Sequence, residues 1–133
     1  MDLDATSPLR HVSDIVEVTK LLQIEGTANV ITGMPSRRSP YFNLVEINEN
    51  GYVVLSKTFP KPIHRRQDAP QCFDMNASIY AWRRQVIMDE QNNTVFQPAT
   101  LLYEMPEERS IDIDSELDWK FVELILKSRL EEI

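Results

Sequence analysis

Residues 109–121 read RSIDIDSELDWKF, and this stretch contains both a candidate metal site and the start of the last helix. In SIDID, residues 110–114, isoleucines alternate with Asp112 and Asp114, which predicts a short strand with both carboxylates on one face. Two carboxylates about 7 Å apart along a strand repel each other unless water or a cation separates them. Mg²⁺ binds one or two carboxylates together with substrate phosphates, so the pattern is compatible with a magnesium site. The same pattern is also explained by a solvent-facing strand that leads into a helix cap. On the pattern alone, this structural explanation is favoured over the magnesium site.

The helix that follows is the clearest in the sequence. Ser115 and Asp118 have the spacing of a capping box, and Lys127 and Arg129 suit the negative end of a helix. The expected buried stripe consists of Leu117, Phe121, Leu124 and Ile125. A strand followed by a long amphipathic helix favours a layered α/β protein.

An earlier helix is predicted from the N-cap Ser13 to the terminator Gly26. Its buried face consists of Ile15, Val18 and Leu22. A short apolar, β-branched run at residues 29–34 then predicts a buried strand. Helix followed by buried strand continues the α/β pattern.

The middle of the chain is predicted to form a hairpin and then an irregular segment. Asn48 and Gly51 provide the turn chemistry of a hairpin. Residues 57–74 contain three prolines and many polar groups, which favours an extended arm or loop. Further strands are predicted at residues 76–84 and 99–105.

Length and composition limit the function classes. A chain of 133 residues suits one domain, and a net charge of −7 argues against nonspecific nucleic-acid binding as the main function. Cys72 is the only cysteine, which excludes a disulfide framework within one chain and favours a reducing compartment. No secretory signal and no apolar run of about 18 residues are present, so we expect a soluble, cytoplasmic protein.

Three further motifs carry polar side chains that can bind ligands. In HRRQDAP, Arg66 can fork onto a carboxylate or a phosphate. In NASIYAW, Asn76 and Tyr80 fall on one face of a strand and can line a pocket. TSPLR places Ser7 and Arg10 around a proline just ahead of a helix, as in an anion-binding turn. A solvated turn, a half-buried strand and a simple connector remain open as structural explanations.

The order of these motifs is more specific than any one of them. TSPLR, RRQDAP, MNASIY and SIDIDSELD, followed by a final helix, resemble the acylneuraminate cytidylyltransferase family from residue 4 to the end of the chain. That family contains the CMP-sialic acid synthetases and their relatives that act on legionaminic acid. The resemblance implies a Rossmann-like α/β nucleotide-diphospho-sugar transferase sheet with flanking helices. It also implies a reaction in which CTP and a nine-carbon 2-keto sugar acid give a CMP-sugar and pyrophosphate.

The resemblance implies a role for each motif. The magnesium carboxylates, and thus the catalytic residues, would be Asp112 and Asp114. The residues lining the sugar-acid site would be Arg66 for the carboxylate, with Gln67, Asn76, Tyr80 and Phe96. The residues near the nucleotide would be Asp4, Ser7 and Arg10. The sequence departs from some family members at Asp4 and Asn43, where they have glutamine and lysine.

A single domain is expected over residues 1–133, with a hairpin and arm at residues 41–71 that would mediate homodimerisation, as the resemblance implies. The family's A-R-x-x-S-K loop, which wraps the CTP triphosphate, is absent from the sequence. The chain is therefore expected to be a truncated enzyme, equivalent to the last three-fifths of a member and inactive alone. The alternative is a non-catalytic dimerisation or sugar-binding remnant of such an enzyme.

Overall fold

The computed structural model describes residues 1–61, 63–91 and 94–131. The strands are β1 (Asp2–Leu3), β2 (Asn29–Pro35), β3 (Val45–Ile47), β4 (Val53–Leu55), β5 (Phe73–Trp82) and β6 (Thr100–Glu104). The helices are α1 (Val12–Gln23), α2 (Arg84–Ile87) and α3 (Glu116–Glu131), with 3₁₀ turns at Arg66–Asp68 and Glu107–Arg109. The chain divides into two compact units: unit 1 contains residues 1–34 and 75–133, and unit 2 contains residues 35–74.

Unit 1 is built on a four-stranded sheet with the order β1-β5-β2-β6. β1 runs antiparallel to β5, with Asp2 opposite Tyr80, and β2 runs parallel to β6. The predicted strands at residues 29–34, 76–84 and 99–105 are thus confirmed. The mixed sheet and its flanking helices form an α/β fold that is compatible with the Rossmann-like prediction.

Helix α1 covers one face of this sheet. Val18 packs with Val30, Ile79 and Ala81, all of which are fully buried. The predicted apolar face of the helix is confirmed, and Gly26, with φ +83°, follows its end. The predicted N-cap is wrong, because the helix begins one residue before Ser13: the cap is His11, whose backbone N–H donates to Asp14 Oδ2.

Unit 2 contains the predicted hairpin. β3 and β4 pair antiparallel, with Val45 opposite Leu55. Gly51 has φ +81°, and its backbone N–H donates to Asn48 O across the turn. Only glycine adopts such a backbone without strain, which explains why this position specifies the turn. No strand is assigned between β4 and β5 in the described residues, as the prolines predict.

Two predictions near the end of the chain are wrong. Residues 110–114 form no strand: a single backbone bond, from Ile113 N to Thr6 O, joins them to another segment. Because these residues are not a strand, the alternation of side chains along a strand cannot be used to place Asp112 and Asp114 on one face. In α3 the only buried residue is Val122, whereas Leu117, Phe121 and Leu124 of the predicted stripe are more than half exposed. The apolar residues of α3 are distributed around the helix, so their spacing does not identify one buried face.

Candidate functional site

Tyr80 lies among negative charges in unit 1. The pKa of its phenol is raised above the ordinary value of 10.0. Burial is the largest cause, and the charges of Asp112, Asp4 and Asp2 add to it. The phenol therefore stays protonated at neutral pH and can donate a hydrogen bond. Asp2 is the cross-strand partner of Tyr80, and the charges of Asp4 and Asp112 reach the same phenol, so we refer to these three carboxylates as the acidic cluster.

Asp112 is half-buried, and its Oδ1 atom is buried without a hydrogen-bond partner in the described part of the chain. Leaving a buried carboxylate oxygen unpaired costs roughly 1–3 kcal/mol or more, so such an atom binds water or a ligand. Asp114 differs, because it is exposed. Its backbone N–H donates to Asp118 Oδ2, which also accepts from the Ser115 hydroxyl. The cap of α3 thus fixes the backbone that carries Asp114.

This donor set fits a magnesium ion in part. Asp112 offers an unsatisfied carboxylate oxygen, and Asp114, two residues on, offers an exposed carboxylate. Among the residues that the structure describes, no group of three or more His, Cys, Asp or Glu side chains could hold a metal. Mg²⁺ does not need such a cage, because substrate phosphates and water complete its octahedral shell.

The face of β5 that carries Tyr80 also carries Asn76 and Ser78, since alternate residues of a strand share a face. Asn76 is buried: its Oδ1 atom accepts from the Thr32 hydroxyl, and its Nδ2 atom lies 3.8 Å from Met105 Sδ. The two predicted sugar-site residues on this strand therefore differ. Tyr80 is half-buried beside the acidic cluster, whereas Asn76 is bonded into the protein.

The predicted nucleotide residues form a tight turn ahead of α1. Arg10 Nη1 donates to the backbone oxygens of Asp4, Ser7 and Ser78, at 2.7, 2.6 and 3.3 Å. Arg10 thus clamps this turn to β5, and one of its nitrogens is already used. Asp4 Oδ1 accepts from the backbone N–H and the hydroxyl of Thr6, and these bonds lower the pKa of the Asp4 carboxyl.

The hydroxyls of Ser7 and Ser78 are both buried, and neither has a hydrogen-bond partner among the described residues. Ser7 was predicted from its motif, but Ser78 was not. Its place between Asn76 and Tyr80, on the same face of the strand, is the signal that could have identified it. With Asp112, these serines make up the buried side-chain atoms for which the described structure shows no partner.

In unit 2, Arg66 and Gln67 are exposed and line a pocket of about 470 Å³. Arg66 Nη2 donates to Ser36 O at 2.7 Å. Asn43, which stands where some family members have lysine, is used structurally, because its Oδ1 atom accepts from Ser39 N. The guanidinium of Arg66 retains N–H groups that can bind a carboxylate.

Phe96 is 64% exposed in the loop before β6. That loop is tied to the first residue of β2, because Asn29 Nδ2 donates to Val95 O. Asn76 instead bonds to Thr32, three residues further along β2. The structure therefore does not bring Phe96 to Asn76, and its role as an apolar wall stays a prediction.

Two relatives are similar to this chain over almost its whole length. It is 46% identical over 126 residues to the CMP-N,N'-diacetyllegionaminic acid synthase of Campylobacter jejuni subsp. jejuni, covering 95% of this chain and 52% of the synthase. It is 43% identical over 129 residues to the post-translational flagellin modification protein B of Campylobacter coli, covering 97% of this chain and 53% of that protein. The chain thus spans about half the length of the curated relatives it matches, against the three-fifths expected. No family model matches it.

Proposed function

The chain belongs to the acylneuraminate cytidylyltransferase family, and on that premise we propose that it forms the metal- and sugar-acid-binding part of a CMP-transferring enzyme. The substrates would be CTP and a nine-carbon 2-keto sugar acid of the legionaminic type. In the reaction, the anomeric hydroxyl oxygen bonds to the α-phosphorus and the bond to the bridging oxygen breaks. Pyrophosphate leaves, and the hydroxyl proton passes to solvent.

Some of the candidate residues would neutralise charge, and others would orient the substrates. When bound, Mg²⁺ neutralises the phosphate charge that develops during transfer. Asp112 and Asp114 would hold it, with Asp4, Ser7 and Arg10 near the nucleotide. Tyr80 can donate its phenolic hydrogen to a sugar oxygen, because its phenol, with a pKa above 10.0, is protonated at neutral pH. Arg66 would bind the sugar carboxylate, with Gln67, Asn76 and Phe96 as further sugar contacts.

The observation that carries this proposal is the buried, unpartnered oxygen of Asp112, whose charge acts on the phenol of Tyr80. An unsatisfied carboxylate is costly in a purely structural role, but it suits a site that a cation completes on binding. The homology to a CMP-N,N'-diacetyllegionaminic acid synthase supplies the chemistry in which that cation would act.

A second candidate function is a non-catalytic dimerisation or sugar-binding module, with the arm at residues 41–71 as the dimer contact. The hairpin favours it, because its cross-strand pair Ile47 and Val53 is 75% and 67% exposed, as in a surface that contacts another protein segment. The two functions differ in one respect: only the first requires Asp112 for turnover.

The proposal is tested in a hybrid in which this chain replaces the matching 126 residues of the C. jejuni synthase. With CTP, Mg²⁺ and N,N'-diacetyllegionaminic acid, we expect the hybrid to release pyrophosphate. Asp112→Asn should lower kcat at least about 100-fold, the usual cost of removing a charge-stabilising group from a transition state. A continuous pyrophosphate assay measures both.

Glu116→Gln is the matched control, because Glu116 is an exposed acid in the same segment. It should keep kcat within about twofold. Circular dichroism should show that both variants fold. A hybrid that is inactive with every sugar acid tried, or an Asp112→Asn hybrid with full activity, would contradict the proposal.

A further inference from the structure

The pocket in unit 2 contains a second arginine to which no role has been assigned. Arg38 lines it together with Ser36, Arg66, Gln67 and Cys72. No acidic side chain among the described residues lines it. The nearest carboxylate that the hydrogen bonds show is Asp74, which is bonded to the Ser36 hydroxyl outside the lining. In a chain with a net charge of −7, two arginines that line one concave site favour an anionic ligand there.

Ser36 holds the parts of this pocket together. Its backbone N–H donates to Cys72 O at 2.9 Å, and its backbone oxygen accepts from Arg66 Nη2 at 2.7 Å. Its hydroxyl oxygen accepts from Arg38 N at 3.3 Å, and its O–H group has two acceptors at 2.7 Å, Asp74 Oδ1 and Arg38 O. Both arginines are therefore bonded to one residue, Arg38 through its backbone and Arg66 through its side chain. The guanidinium of Arg38 is exposed and can turn towards a ligand.

One exposed arginine is a weak carboxylate receptor. A single solvent-exposed ion pair contributes so little that it changes affinity by about fivefold at most. Arg66 also uses part of its donor set on Ser36. A second guanidinium at the same pocket allows one arginine to bind the carboxylate in a fork while the other neutralises the remaining charge.

We propose that Arg38 is a specificity-determining residue that binds the carboxylate of the sugar acid together with Arg66 in the pocket of unit 2. The proposal deepens the proposed function and rests on it for the identity of the sugar acid. Two arginines bind carboxylates and phosphates alike. The triphosphate of CTP is therefore the other ligand that the experiment must distinguish from the sugar acid.

Cys72 allows binding to be measured without turnover. It is the only cysteine in the chain, it is half-buried, and it lines the pocket. Its alkylation rate by iodoacetamide, followed by intact mass, therefore reports occupancy of this one site in the full chain. We expect N,N'-diacetyllegionaminic acid to slow alkylation in a saturable manner, and its methyl ester and CTP not to do so at the same concentration.

Arg38→Gln should raise the concentration needed for half-protection about fivefold, the upper value for a single exposed ion pair. Arg37→Gln is the matched control, because Arg37 is the neighbouring exposed arginine and does not line the pocket. It should change half-protection less than twofold. The urea midpoints of both variants should match that of the unaltered chain, which separates a binding effect from unfolding.

Equal protection in Arg38→Gln and the unaltered chain would overturn the proposal, as would protection by CTP or the methyl ester, or no protection by the sugar acid. These outcomes are separate from the hybrid assay. Arg38-dependent protection with an inactive hybrid leaves the pocket standing and removes the proposed function. An active hybrid with Arg38-independent protection does the reverse.

Discussion

Asp14 is fully buried at the start of α1, and both of its carboxylate oxygens are used. Arg109 binds it as a fork, with Nη2 2.8 Å from Oδ1 and Nε 3.0 Å from Oδ2. The Tyr103 hydroxyl donates to Oδ1 and the backbone N–H of His11 to Oδ2. The sequence suggested only that Asp14 suits a helix N-terminus, because the partner is 95 residues away.

Replacing Asp14 by Asn should lower the free energy of unfolding by about 3 kcal/mol, since removing one partner of a buried ion pair leaves the other uncompensated. Urea unfolding at pH 7 measures the loss. Asp89→Asn, at an exposed position, is the control and should stay within about 0.5 kcal/mol. A loss below about 1 kcal/mol would show that the pair contributes no more than a surface salt bridge.

The pH dependence follows from the same contacts. Burial raises the pKa of Asp14, but the bonds from Arg109, His11 and Tyr103 outweigh it and hold the pKa below the ordinary value of 3.8. The unfolded state therefore binds the proton first, so this contribution is complete well above pH 3.8 and is lost as the pH falls through the folded-state value. The stability difference between the unaltered chain and Asp14→Asn should thus shrink below about pH 4.

The N-terminal cap of α3 is a local structure that the sequence alone predicts. Ser115 and Asp118 were predicted as a capping box, and Asp118 Oδ2 indeed accepts from the Ser115 hydroxyl at 2.6 Å. That bond lowers the pKa of the Asp118 carboxyl. Because Asp118 also accepts from Asp114 N, the cap couples the helix to the backbone of a predicted magnesium ligand.

Ser115→Ala should cost about 1 kcal/mol of stability, as typical for a lost N-cap. In the hybrid enzyme it should also raise the Mg²⁺ concentration for half-maximal rate, because Asp118, which accepts from Asp114 N, loses the Ser115 hydroxyl that orients it. Ser128→Ala is the control on the same helix, where the hydroxyl only bonds back to Ile125 O. An unchanged magnesium requirement in Ser115→Ala would separate the cap from the site.

Local signals predicted most elements of this chain, apart from the N-cap at Ser13, whereas apolar spacing identified the buried face of α1 but not that of α3. Some structures depend only on residues that are close in sequence, and these can be predicted from the sequence alone. Examples are the turn at Gly51, the strand at residues 29–34 and the cap at Ser115. Which side of α3 is buried depends on its docking, since Arg129 Nη1 bonds to Leu9 O 120 residues away. The strand predicted around Asp112 failed for the same reason: alternation sets two faces, but a strand also needs a partner.

At the scale of the whole molecule, α3 leaves apolar side chains uncovered on two sides. Leu117, Phe121 and Leu124 share one side of the helix and are each more than half exposed in the described structure, and so are Trp119 and Leu130 on the opposite side. Single exposed apolar residues are ordinary, but three on one side of a helix are typical of a surface that contacts another protein segment. None of the described helices is long and apolar enough to span a membrane.

On the proposed function, these 133 residues alone should be a poor enzyme. They span about half the length of the relatives, and each charge-stabilising contact that the other half would supply costs about 100- to 1000-fold when it is missing. We expect pyrophosphate release at least about 100-fold slower than by the hybrid, under identical CTP, Mg²⁺ and sugar acid. The Cys72 protection assay on the same preparation shows whether the sugar-acid pocket is intact. Turnover equal to that of the hybrid would show that these 133 residues suffice.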